Sequence, residues 1–159
     1  MVRFRKTWQE KLHESKGLPK VVEITESMST RWGTGTVVIP APVEVDEVMR
    51  RVPTGKLVTI NQIREYLARK HGATIGCPIT TGIFCHIAAR AAEEEEARGE
   101  KDVTPYWRTL KVGGALNEKY PGGVKGQAER LRAEGHTIEL ARDGKPKRVK
   151  DFEQVLFDI

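Results

Sequence analysis

Long apolar runs are missing from this sequence. No stretch approaches the roughly 18 consecutive apolar residues of a membrane span, and Met1-Val2-Arg3-Phe4-Arg5-Lys6 lacks the apolar centre of a secretory signal. A soluble, cytoplasmic chain is therefore expected. Cysteine is scarce too: there are two, Cys77 and Cys85. Full helical spacing would hold them about 12 Å apart, beyond the ~7 Å reach of a bridge, so reduced thiols are expected. Cys77, Cys85 and His71 meet no zinc-ligand spacing. Cys85 and His86 would point about 100° apart on a helix, which argues against a thiol–imidazole pair. Neither a metal nor a cofactor is expected. No internal repeat is visible, and 159 residues suffice for one main domain with its own core.

Charge is plentiful and unevenly placed. The formal net charge is +5, an excess that suits a polyanionic partner without requiring one. Basic residues gather at the start (Arg3, Arg5, Lys6, Lys11, Lys16, Lys20) and near the end (Arg142, Lys145, Lys147, Arg148, Lys150). Both clusters suit phosphate contact or plain solvation. Glu93 to Glu96 form an acidic block, expected to be solvated because like charges in a row gain nothing by burial.

Apolar periodicity divides the chain. Trp8 and Leu12 mark a short helix over residues 7–16, and Leu18 to Ile24 and Thr36 to Ile39 read as short strands. Gly33-Thr34-Gly35 between them lacks the lysine and following helix of a phosphate loop, so it is a turn. Val45, Val48, Met49 and Val52 give the stripe of a helix that ends at Pro53-Thr54-Gly55. Thr59 with Gln62 is a capping-box signal for a second helix, with Ile60, Ile63 and Leu67 inside and Gly72 at its end. Pro78 opens a third, about Ile79 to Ala97, with Ile83, Ile87 and Ala91 expected on its buried side. Trp107 to Val112 and Ala115 to Asn117, around Gly113-Gly114, read as a small hairpin. Val124 to Glu134 is another helix before Gly135. His136 to Ala141 and Val149 to Phe157 flank Asp143-Gly144-Lys145-Pro146 as a terminal hairpin.

Three segments carry a family resemblance. Val52-Pro53-Thr54-Gly55-Lys56-Leu57-Val58-Thr59 resembles the Ile-Pro-x-Gly-x-Val-x-(Ser/Thr) entry to the DNA-binding helices of the alkylguanine-DNA alkyltransferases. Thr104-Pro105-Tyr106-Trp107-Arg108-Thr109-Leu110 resembles that family's Pro-Cys-His-Arg-Val. Tyr120-Pro121-Gly122-Gly123, with Leu131 and Glu134-Gly135 after it, resembles the family's Tyr-x-Gly-Gly segment and the helix end beyond. The resemblance implies an α+β, mainly helical fold, a winged helix-turn-helix over residues 43–135. A leader over 1–42 precedes it, and residues 136–159 form a C-terminal extension. In the family the second helix of the pair enters the minor groove, and the target nucleotide flips into a pocket beside the cysteine.

Tyr106 stands at the position of the alkyl-accepting cysteine and Trp107 at that of the activating histidine, while Arg108 and Glu134 match. A phenol with pKa near 10 is only about 0.1% ionised at pH 7 and is a poor nucleophile on saturated carbon, so no catalytic residue is expected. The tyrosine that rotates the nucleotide's phosphate aligns with Ile60, and the intercalating arginine with Thr80 or Thr81; Ile60 or Ile79 remains as an apolar wedge. Alkyltransferase-like proteins, which also lack the cysteine, bind alkylated guanine in DNA without repairing it. They usually carry tryptophan or alanine there and keep the histidine, so Tyr106-Trp107 marks a divergent branch.

On this reading the expected DNA contacts are Thr59, Ile60, Thr80, Thr81, His86, Arg90, Arg108 and Lys111, with Arg108 and Lys111 on the wing. The base pocket is expected from Tyr106, Trp107, Tyr120 and Glu134, where an aromatic wall would stack a flipped base. The expected partners are double-stranded DNA with an alkylated or otherwise damaged base, and repair proteins. Two other readings stay open: an enzyme using Cys85 or another nucleophile, and a protein-interaction module using the leader and tail on a winged-helix scaffold.

Overall fold

The structure is a computed structural model that describes residues 6–159, so Arg3 and Arg5 of the N-terminal basic cluster lie outside the described residues. Helix α1, Trp8–Leu12, starts at a Thr7–Glu10 capping box and buries Leu12. Strands β1, Lys20–Glu23, and β2, Thr36–Ile39, pair antiparallel. Between them lies α2, Glu26–Trp32, which the sequence reading lacks. It buries no residue, so it shows none of the apolar periodicity by which a helix is recognised.

Three longer helices come next. Helix α3, Pro42–Arg50, buries Val45, Val48 and Met49. Strand β3, Val58–Thr59, leads into α4, Ile60–His71, where the expected capping box forms: the Thr59 hydroxyl accepts from the Gln62 amide, and the Gln62 side chain accepts from the Thr59 amide. Gly72, left-handed at φ 65°, ends α4, the usual role of glycine at that position. Strand β4, Ile75–Gly76, then runs parallel to β2. Gly76 lies so close to α4 that a Cβ there would sit 2.6 Å from the Arg64 carbonyl oxygen. Helix α5, Pro78–Ala97, has proline in its first turn as expected.

Of the residues expected on the buried side of α5, Ala91 is buried and Ile87 packs partly buried against the core, but Ile83 is not buried. Phe84, Cys85, Ala88, Ala89, Ala91 and Ala92 are buried, whereas Ile79 and Ile83 are 60% and 49% exposed. The bulky isoleucines attract a reading based on hydrophobicity, but four alanines let α3 and α1 approach closely, and dense packing decides which face turns inward. Thr81, expected on the groove side, is fully buried with that stripe.

The acidic block also differs from expectation. Glu93 faces Arg90 at 3.5 Å, and Glu96 meets Arg130 at 2.7 Å. Glu94 accepts from the backbone amides of Trp8 and Gln9 at 3.0 and 2.9 Å, and Glu95 accepts from the Gln9 side chain at 2.7 Å. Successive helical residues fan out by about 100°, so Glu94 and Glu95 reach α1, Glu96 reaches Arg130, and Glu93 stays on α5 with Arg90. The leader helix is docked by this block.

After α5 the chain makes a 3-10 turn over Tyr106–Arg108 and enters β5, Thr109–Leu110, which pairs parallel with β3. The expected Trp107–Asn117 hairpin is absent. Thr109 and Leu110 pair with β3, and Gly113 and Gly114, at φ 74° and 80°, turn the chain away. Ala115 then pairs with Arg148, and the Leu116 amide donates to the Lys147 carbonyl. Helix α6, Gly123–Ala133, forms as expected. The terminal hairpin is present as β6, Ile138–Leu140, and β7, Pro146–Val149. Its second strand precedes the expected one, and Phe152–Val155 is a 3-10 turn instead.

Two cores result. One joins α1, α3, α4 and α5 through Leu12, Val48, Met49, Leu67, Phe84 and Ala88, among others. The other joins β5, α6, the C-terminal segment and the residue preceding β3 through Leu57, Leu110, Leu131, Val149 and Phe152. Trp107 packs against both.

Candidate nucleic-acid interface

The helix pair α4–α5 leaves an open cleft at its N-terminal ends. The cleft holds about 480 Å³ and is lined by Ile60 from the start of α4, by Ile79, Gly82, Ile83 and His86 from α5, and by Lys111 and Asn117 to Lys119 from the loop opposite. Such a volume lies within the ~300–1,000 Å³ typical of small-molecule sites. A second depression of about 260 Å³ shares Ile60 and Lys111 and adds Arg64, Pro78 and Val112. Exposed Ile79, Ile83 and Val112 therefore meet on one face beside two lysines. Neither α4 nor α5 carries an acidic residue in its first turn, so the positive end of each helix dipole is left for an anion.

The loop is tied to α5. The Lys119 carbonyl accepts from His86 Nδ1 at 3.0 Å and from Arg90 at 3.2 Å, which anchors the loop at its backbone. Lys111 and Glu118 form an exposed pair at 3.2 Å, and such a pair yields to a phosphate at little cost. Among the expected contacts, Ile60, His86 and Lys111 thus share one cleft, with Arg90 at its edge. Thr80 is half-buried and its hydroxyl has no partner among the described residues. Thr59 is buried and its hydroxyl is engaged in the α4 cap, so it and the buried Thr81 are removed from the expected contact set.

Arg108 is likewise removed. Its guanidinium donates to Glu134 at 2.9 Å, to the Val52 carbonyl at 2.7 Å and to the Thr54 hydroxyl at 2.9 Å, leaving no free edge for a phosphate. Trp107 joins the same carboxylate: its indole N–H donates to Glu134 at 2.7 Å. Burial opposes ionisation of Glu134, but Arg108 and Trp107 outweigh it and hold the carboxyl below its ordinary value. This cluster links the turn after α3, the Tyr106–Arg108 turn and the end of α6.

Tyr106 and Tyr120 do not line an open pocket. They are 2% and 1% exposed and pack edge-on at 5.4 Å, with Trp107 edge-on to Tyr106 at 5.2 Å. Arg130 lies over the Trp107 ring at 4.4 Å. Burial raises the Tyr106 hydroxyl above its ordinary value and the Tyr120 hydroxyl well above it. The Tyr106 phenol is thus less ionised than a free one. Cys85 fares no better as a nucleophile, being wholly buried, with its thiol pushed up to about 12.

The residues that sequence reasoning missed are Gly82, Ile83, Asn117, Glu118 and Lys119. Ile79, Gly82, Ile83, His86 and Arg90 do keep the i, i+3, i+4 spacing of one helix face, a signal present in the sequence but competing with the alanine stripe. Asn117 to Lys119 carry no local pattern and reach the cleft only through the fold.

His86 and His136 are both held below the ordinary imidazole value. For His86 the causes are burial and then Arg90, partly offset by the Lys119 carbonyl; for His136 burial is opposed by Glu134. Each therefore binds its proton less readily folded than unfolded, and the stability it contributes is present above about pH 6.5 and lost as pH falls through the folded value. The urea midpoint is expected to fall from about pH 7 to about pH 5. Replacing both histidines by glutamine should flatten that fall, and an unchanged slope in the variant would assign it to other groups.

Among the described residues no helix is long and apolar enough to cross a membrane. No family model matches the chain, and no curated protein matches it by sequence. Solved structures do match. The crystal structure of S. pombe Atl1 in complex with damaged DNA containing O6-carboxymethylguanine is 20% identical, with a TM-score of 0.51, over 73% of this chain and 93% of that one. A structure of S. pombe ATL in complex with DNA gives 20% identity and a TM-score of 0.52 over the same shares. The chain thus has the mixed α+β fold of the alkyltransferase-like protein Atl1.

Proposed function

We propose that this protein is a non-catalytic DNA-binding protein of the alkyltransferase-like kind, acting in recognition of alkylated or otherwise damaged bases. The observation that carries the reading is the cleft at the α4–α5 helix ends, open and apolar within, basic at its edge, on a fold shared with Atl1. On this reading α4 and α5 are the helix-turn-helix, and α5 enters the groove by its N-terminal half. Ile79 stands where an apolar wedge unstacks a base step, and Lys111 and Lys119 neutralise phosphates. The extruded base enters the cleft against Ile60 and Ile83 rather than stacking on Tyr106, which is enclosed by Trp107 and Tyr120. Buried phenol and buried thiol leave no activated acceptor for an alkyl group, so the lesion is bound and left intact for other repair proteins.

Duplex binding measured by fluorescence anisotropy, with and without one O6-alkylguanine over a salt series, tests this. Tighter binding of the alkylated duplex, with unchanged intact mass of protein and DNA, is expected. Absence of binding at low salt overturns the reading, equal affinities remove lesion recognition from it, and a mass gain on the protein overturns its non-catalytic part.

A further inference from the structure

We infer that the leader helix α1 is a second DNA-contacting element, which places a basic edge beside the α4–α5 cleft and receives phosphates of the duplex bound there. The inference rests on the DNA-binding reading above and adds a surface that the matched segments of residues 52–135 do not contain.

Three observations carry it. First, α1 is held in one place. Its first-turn amides donate to Glu94, Gln9 donates to the Ala91 carbonyl at 3.1 Å and to Glu95, and Leu12 is 3% exposed in the main core. Second, α1 adjoins the cleft: the Trp8 ring meets the ring of His86, a cleft residue, edge-on at 5.4 Å and 82°. Third, the side of α1 next to that contact is basic. Lys11 Nζ lies 4.1 Å above the Trp8 ring, and Lys6, Lys11 and Lys16 rim a groove of about 280 Å³ beside Phe84 and Ile87.

The charges of that groove are available. The carboxylate lining it, Glu14, is shared by Lys6 and Lys16, whose side chains are 52% and 70% exposed. Exposed pairs of this kind hold little free energy and dissolve in favour of a polyanion. Lys11 has an aromatic face and no carboxylate against it among the described residues. Past the ring of His86 lie Arg90, bonded to the Lys119 carbonyl, and the cleft lysines Lys119 and Lys111. Lysines on α1 and on the loop across a cleft suited to DNA fit the same duplex better than a separate acidic protein, because phosphates displaced along the backbone reach both parts at once.

The experiment is a salt titration of full-length protein on one unmodified duplex, comparing wild type, K11A/K16A, K11R/K16R and R69A. Arg69 is exposed at the end of α4 remote from Ile60. Loss of two phosphate contacts makes the slope of log K against log salt shallower by about 1.8, and this is expected for K11A/K16A alone, with K11R/K16R restoring it. Lys16 is exposed and Lys11 half-buried over Trp8, and an unchanged thermal midpoint shows that the fold is kept. If K11A/K16A keeps the wild-type slope and affinity while wild type binds, the inference is overturned and the DNA-binding reading stands. A matching loss in R69A overturns it as well, since the effect is then one of total charge. If wild type binds no duplex at any salt, both fall.

Discussion

Replacing Arg108 by alanine is expected to lower folding stability by about 3 kcal/mol, the lower end of the range for breaking a buried ion pair. Arg108 and Glu134 keep only 13% and 12% of their side-chain surface in water, so the remaining carboxylate would be poorly solvated. It would retain the Trp107 indole N–H at 2.7 Å and a long contact from the Gly55 amide at 3.5 Å. The Val52 carbonyl and Thr54 hydroxyl would lose their donor too, loosening the turn that delivers β3 and α4. Urea unfolding with linear extrapolation reads the loss. Removing both charges, as in R108M/E134M, should cost much less, because no unpaired charge stays behind. Equal losses in the single and double variants would mean that packing, not the pair, is being measured.

The same pair predicts an acid response. Folding depresses the Glu134 carboxyl below its ordinary value, so its stabilisation is complete above about pH 4.5 and is lost as pH falls through the folded value. R108A should therefore lose less stability on acidification than the wild type does.

Gly82→Leu is expected to abolish DNA binding while making the protein slightly more stable. Gly82 lies in the second turn of α5 with no atom within 4 Å of where a Cβ would stand, and it lines the cleft. A leucine there finds space only in the cleft, where it would stand beside Ile79, Ile83 and Ile60 in place of a ligand. Glycine in a helix interior costs about 0.8–1 kcal/mol relative to good helix formers, so the substitution should raise stability by up to roughly 1 kcal/mol. Anisotropy with the alkylated duplex and a urea midpoint on the same sample separate the two effects. A binding loss of at least about tenfold, or roughly 1.4 kcal/mol, with a raised midpoint is expected. Unchanged affinity would show that DNA contacts the protein without entering the cleft, and a lowered midpoint would show that the glycine serves packing.

Much of the local structure follows from neighbouring residues in the chain. The helix stripes of α3, α4 and α6, the Thr59–Gln62 cap and the turn at Gly72 depend on residues within a few positions of one another, where propensity and capping act alone. The order of the Pro53-Thr54-Gly55, Tyr106-Trp107-Arg108 and Gly122-Gly123 segments pointed to the alkyltransferase-like fold.

Tertiary structure decided which surfaces those elements turn outward. Helix α5 has apolar residues on two sides, and only close packing of Ala88, Ala91 and Ala92 against neighbouring helices released Ile79 and Ile83 to the cleft. Tyr106 reads equally well as a pocket wall or a core residue until Trp107, Tyr120 and Arg130 enclose it. Arg108 reads as a phosphate ligand until Glu134, 26 positions away, claims it. The acidic run reads as solvated until α1 arrives from 85 residues back to be capped by Glu94. In each case the deciding partner is distant in the chain, and long-range packing and charge pairing leave no local periodicity from which to infer them.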